Sequence, residues 1–184
     1  MALGLYLGIT AGVIIVGSFV YYYNKFVTFD NRIKNSTAQI DVQLRKRADL
    51  VPALVKVVKS FAKHESKIMA QVTNARKEML NQTDISAKVK AGDKLQNALK
   101  SIFAIAENYP DLKSNTNYLQ LQEELAALED RVAYSRQYYN DNILAYDNAS
   151  QRFPGVLFFR LYGKTRKEYL KIPEASRKMP KIDL

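Results

Sequence analysis

The side chains best suited to chemistry in this chain are His64 and Glu65, adjacent in the stretch AKHES. A His followed by Glu opens the zinc-protease pattern HExxH, in which two imidazoles four residues apart on one helix face bind the same metal and the Glu serves as general base. Position 68 is Ile68, so the second imidazole is missing. The chain holds one His in all, and a di-iron bundle would need two Glu-x-x-His motifs. With no Cys, thiolate metal sites, cysteine nucleophiles and a disulfide framework are excluded, and the redox compartment is undetermined. His64 and Glu65 therefore read as structural polar groups, hydrogen-bonded to a neighbouring helix or facing an adjoining subunit. A buried carboxylate needs a partner, and Arg131 and Arg136 are the candidates for Glu65. A hydrolase with an unfamiliar site around His64 is a third reading, after the two developed below.

The remaining constellations favour solvated or structural roles. Glu123 with Glu124, and Glu129 with Asp130, are carboxylate pairs, but neighbours on a helix point about 100° apart and do not share a site. Arg45, Lys46 and Arg47 make a basic cluster without the interleaved aromatic platform that nucleic-acid binding uses, so no nucleic-acid partner is expected. No phosphate-cradling Gly loop or Ser nucleophile elbow is present. The expectation is a protein that is not an enzyme, with no catalytic, cofactor-binding or metal site. Arg47, Asp49, His64, Glu65, Arg131 and Arg136 are then structural or interface polar residues.

The elements that must position these residues begin with an anchor. From Ala2 to Tyr23 no side chain is charged, and a helix of that length spans about 33 Å, enough for a bilayer core of about 30 Å. Tyr21, Tyr22 and Tyr23 close the run where an interfacial aromatic belt would sit, followed by Lys25. A cleaved signal peptide would carry basic residues before the apolar run, and none is there. Lys25, Arg32 and Lys34 follow the run, so the positive-inside rule predicts a single pass in the cell membrane, with a short N-terminus outside and a cytoplasmic body. Gly4, Gly8 and Gly12 recur every four residues, a face on which another membrane helix could pack closely.

Beyond the anchor, apolar residues follow a four-three, heptad-like alternation suited to long helices and coiled-coil packing. Ile33, Thr37, Ile40 and Leu44 continue the anchor helix. An interruption is predicted near Arg47–Pro52, with Asp49 capping a second helix that carries Leu54, Val58, Phe61, Glu65, Ile68, Val72, Ala75 and Met79 to about Asn81. Asp84 or Ser86 caps a third helix carrying Leu95, Leu99, Ile102 and Ala106, which Pro110 ends. A fourth runs from about Asn115 to Ser150 with Tyr118, Leu121, Leu125, Leu128, Val132, Ser135, Tyr139, Asn142 and Tyr146 on one face. The fold class is all-α: an N-terminal transmembrane helix followed by an antiparallel four-helix bundle with long helices. The segments are an anchor at 1–23, a helical bundle at 24–151 and a basic C-terminal segment with a short apolar stretch at 152–184.

Lys and Arg number 28 against 18 Asp and Glu, a net charge of +10. Residues 1–83 carry 12 basic and 5 acidic side chains, 84–151 carry 7 and 10, and 152–184 carry 9 and 3. Positive charge thus gathers near the anchor and in the tail, which suits a domain beside an anionic leaflet. Within GVLFFRLYG, the residues Val156, Leu157, Phe158, Phe159 and Arg160 could enter the headgroup region, dock on another protomer, or fold back as the chain's own core.

Five segments in order resemble the LemA family: QIDVQLRKRADLVPALVKVVKSFAKHE at 39–65, AENYPDLKSNTNYLQLQEEL at 106–125, SRQYYND at 135–141, RFPG at 152–155 and PKIDL at 180–184. The resemblance is nearly full length, and departs mildly at Tyr118, where many relatives carry Phe, and at 81–92, which follow no motif. It implies a helical cytoplasmic domain behind a short exposed N-terminus, and it implies no reaction. By analogy it points to bacterial membrane organisation. The expected function is a non-enzymatic membrane scaffold that self-assembles and shapes the membrane, with the lipid bilayer and further copies of the chain as partners. The alternative is a membrane adaptor that recruits another protein, such as a membrane protease or a signalling component, through the acidic third and fourth helices of its cytoplasmic bundle.

Overall fold

A computed structural model describes residues 1–171; the ending PKIDL lies outside the described residues. All regular structure among these residues is helical: α1 (Ala2–Phe61), α2 (Ser66–Leu80), α3 (Ile85–Ala106), α4 (Pro110–Lys113), α5 (Thr116–Gln151) and α6 (Gly155–Leu161). The all-α class and the long apolar N-terminal helix agree with the patterning.

The predicted interruption at Arg47–Pro52 does not occur. Helix α1 passes through it with Pro52 in its interior, and Asp49 is an exposed mid-helix residue, not a cap. Proline normally breaks a helix partly because its missing N–H orphans the carbonyl four residues earlier. Here that carbonyl belongs to Ala48, which is fully buried, and the Arg76 Nε of α2 donates to it at 2.7 Å. A side chain from another helix thus replaces the lost backbone donor. The actual break lies at residues 62–65, in a stretch without Gly or Pro. Ala62 is fully buried there while Phe61 is exposed, so the apolar row expected to run on through Phe61 and Glu65 is cut.

The later helices follow local signals more closely. Asp84 caps α3, its carboxylate accepting the Ala87 N–H at 2.8 Å, as the spacing predicts. Helix α3 ends at Ala106, ahead of Pro110, which instead occupies the first turn of α4, where a missing N–H is tolerated. Asn115 accepts the Tyr118 N–H at the start of α5.

The described chain forms two compact units, residues 37–137 and residues 1–36 with 138–171. In the first, Leu44, Leu54, Leu95, Leu99, Ile102 and Leu112 are fully buried, each worth about 1.5–3 kcal/mol. Gly92 lets α3 approach α1 closely: a Cβ there would lie 2.8 Å from Leu44 Cδ2. In the second, Phe26, Ile143 and Tyr146 are buried, and Asn142 Nδ2 donates to Ser36 Oγ at 2.9 Å, tying α5 to α1.

Candidate membrane interface

The apolar start of α1 is long enough to cross a membrane, and none of its most apolar stretch is buried against the protein. A core helix of a water-soluble domain would be covered, so a chain that leaves this surface bare is membrane-associated. Gly4, Gly8 and Gly12 have no protein atom within 4 Å of where a Cβ would stand, leaving the glycine face open.

At the end of the uncharged run the three tyrosines differ in surroundings. Tyr21 and Tyr23 are more than half exposed, whereas Tyr22 turns inward and stacks on Phe158 of α6, ring centroids 4.9 Å apart. Lys25 Nζ sits 5.5 and 5.7 Å from the Tyr21 and Tyr22 ring centroids, a cation held over π faces. Phe159 packs on Phe26 and Tyr146, and the Tyr162 hydroxyl donates to the Phe19 carbonyl at 2.7 Å. Of the three readings open for residues 155–163, the fold-back onto the chain's own helices accounts for Phe158 and Phe159. Val156 is half-buried, and Leu157 and Arg160 face outward. Gly155 is required where α6 begins, because a Cβ there would collide with the Ala149 carbonyl.

Beyond α6, residues 164–170 have no regular structure, yet side chains of α5 satisfy much of their backbone. The Tyr146 hydroxyl donates to the Thr165 carbonyl at 2.9 Å, and the Tyr139 hydroxyl to the Glu168 carbonyl at 3.1 Å. Asn140 holds both polar groups of Leu170, donating to its carbonyl and accepting from its N–H, each at 2.9 Å. Burial, with Asp30 and Asp147 nearby, pushes the Tyr146 phenol up to about 12, so it remains a donor at any physiological pH. Asp30 receives Lys164 at 2.5 Å and Lys167 at 3.7 Å. This strap was not anticipated. Its trace in the sequence was the clustering of Tyr139 and Asn140 in SRQYYND, which resemblance flagged without a role.

The remaining predicted polar residues lie in unit 37–137. Arg47 is fully buried and pairs with Glu129. Burial pulls its guanidinium below its usual range, against the favourable pull of Glu129. Arg136 pairs with Asp93 at 2.6 Å. Neither Arg131 nor Arg136 serves Glu65, which accepts from the Tyr109 hydroxyl at 3.3 Å. His64 sits exposed in the turn after α1. The break at 62–65 takes both residues off the helix face on which spacing had placed them. Arg131 and Asp49 line a hollow of about 380 Å³ with Lys46, Leu50, Glu124, Ala127 and Leu128. Among the described residues no group of three or more His, Asp or Glu could hold a metal ion.

Comparison with known proteins places this arrangement. The LemA family model matches residues 36–184. The chain is similar to the magnetosome protein MamQ of Magnetospirillum gryphiswaldense, 26% identical over an alignment 173 residues long that covers 80% of this chain and 64% of that protein. It is similar to the magnetosome protein MamQ 2 of Paramagnetospirillum magneticum, 24% identical over an alignment 180 residues long that covers 84% of this chain and 66% of that one. Protein LemA of Metamycoplasma hominis is 24% identical over an alignment 134 residues long that covers 70% of this chain and 61% of its own. The chain thus spans a little under two thirds of the length of these relatives.

Proposed function

Given that this chain belongs to the LemA family, we propose that it is a non-enzymatic membrane scaffold, anchored by residues 2–23, that self-assembles and organises or shapes a bacterial membrane. The short N-terminus lies outside, the body is cytoplasmic, and the long helical segments form an antiparallel four-helix bundle. The observation that carries the reading is the unburied apolar start of α1 with its open face at Gly4, Gly8 and Gly12. Such a face allows backbones to approach closely where lipid offers no hydrophobic drive for association. The basic residues Lys25, Arg32 and Lys34 support the orientation, and the names of the magnetosome relatives support a membrane-organising role. The partners are the lipid bilayer and further copies of the chain, with no nucleic acid.

Electron microscopy of the full chain, in mild detergent and in liposomes containing anionic lipid, tests this reading. Rings, shells or coats on curved membrane are expected. A monomer by sedimentation across a wide concentration range, with undeformed vesicles, overturns it.

One observation favours an adaptor as the second reading. The hollow at Leu50 and Leu128 adjoins another of about 610 Å³ lined by Ala53, Lys56, Val57, Ser60, Asn117 and Leu121, the two sharing Glu124. An apolar floor with charged edges is what an amphipathic helix of a recruited membrane protein, such as a protease or signalling component, would fill. Crosslinking in native membranes separates the readings: self-crosslinks support the scaffold, one dominant foreign partner the adaptor.

A further inference from the structure

We infer that α6 is an interfacial helix, seating Leu157, Leu161 and Phe153 among the lipids of the leaflet through which α1 emerges. The inference rests on the membrane-spanning reading of residues 2–23 and adds a second point of lipid contact.

Two faces of α6 carry different residues. Phe158 and Tyr162, four apart, meet α1: Phe158 stacks on Tyr22, and Tyr162 packs edge-on against Phe19 and Tyr23 at 5.1 and 5.6 Å. Leu157 and Leu161, also four apart, point the other way and are 57% and 67% exposed, while Phe153 just before α6 is 82% exposed. Arg160 lies on the same outer face.

What covers that face follows from where α6 is fixed. Its inner side is bonded to residues 19–23, the last turn of the uncharged run. The Tyr162 hydroxyl reaches the Phe19 carbonyl, which lies about 6 Å before Tyr23 along α1 at 1.5 Å per residue. If residues 2–23 occupy the bilayer, α6 is held at the depth of the aromatic belt, and the medium at that depth is lipid. The leucines then face acyl chains near the headgroups, and the outward Arg160, with Arg152, can extend to phosphates as long basic side chains do at such interfaces. A helix seated in one leaflet only also wedges that leaflet, which gives the proposed membrane-shaping role a physical device.

The chain has no Trp, so single tryptophans report depth cleanly. The variants Ile15→Trp, Leu144→Trp, Leu157→Trp and Leu161→Trp, each at an exposed position, would be reconstituted as full-length protein. The vesicles would be of phosphatidylcholine and phosphatidylglycerol, brominated either near the headgroup end of the acyl chains or near their ends. The expected result is blue-shifted emission and strong quenching of the Leu157→Trp and Leu161→Trp proteins by the shallow bromines. Deep bromines should quench Ile15→Trp, and Leu144→Trp should keep its emission. If Ile15→Trp is quenched while Leu157→Trp and Leu161→Trp keep their emission, the inference is wrong and the anchor stands. Blue-shifted but unquenched emission in those two would show a second copy covering the face, which also overturns it. Loss of quenching at Ile15→Trp removes the spanning reading itself.

Discussion

Helix α1 survives Pro52 because Arg76 donates to the Ala48 carbonyl, and this explanation can be measured. Replacing Arg76 with Met keeps much of the aliphatic stem but removes the donor, leaving a buried carbonyl without a partner. Ala48 is fully buried, so water cannot substitute, and the expected loss is about 1.5–3 kcal/mol, the range for hydrogen bonds to charged groups. In the Pro52→Ala background, residue 52 regains an N–H aimed at the same carbonyl, so Arg76→Met should there cost under about 1 kcal/mol. The coupling between the two changes should therefore be about 1–2 kcal/mol, within the range for residues that share a partner. Urea unfolding of the full chain in mild detergent, followed by circular dichroism, would read it. At roughly 2 kcal/mol per molar urea, Arg76→Met should lower the midpoint by about 1 M in the parent and far less beside Pro52→Ala. Equal losses in both backgrounds would refute the reasoning, since Arg76 would then stabilise the protein by some route other than the proline-orphaned carbonyl.

Other expectations are equally direct. Asp41 is drawn upward by burial, but Lys88 and Arg45 outweigh this and hold its carboxyl below the ordinary value. A depressed folded-state pKa gives stability that is complete above the unfolded value of about 3.9 and is lost as pH falls through the folded one. Because Lys88 is nearly buried, Asp41→Asn should cost about 1.5–3 kcal/mol at neutral pH and flatten the acid limb of a stability–pH curve; an unchanged limb would exclude the pair as its source. Asn140→Ala removes both bonds to Leu170, so Leu170 amide exchange should accelerate on the order of tenfold or more, with α3 amides unaffected. Gly8→Ile fills the open face of α1 and should shift detergent-solubilised protein toward monomer, measured by sedimentation; unchanged association would place self-contact elsewhere.

The uncharged run, the turn and cap residues and the helical periodicity are properties of consecutive residues, and they sufficed for the all-α class, the apolar N-terminal helix, the Asp84 cap and the course of α5. Where prediction missed, the deciding group came from a distant part of the chain. Asp49 and Pro52 look locally like a helix start, and only the Arg76 side chain of α2 supplies the donor that keeps α1 whole. The break at 62–65 carries no Gly or Pro, so nothing short-range marks it, and it removes His64 and Glu65 from a helix face. Tyr109 as the partner of Glu65 lies 44 residues away, and the strap depends on Tyr139, Asn140 and Tyr146 reaching backbone 19 to 30 residues further on. Periodicity reports which side of a helix is apolar. Which long polar side chain meets which orphaned backbone group depends on how the helices pack, and that is decided only in the folded chain.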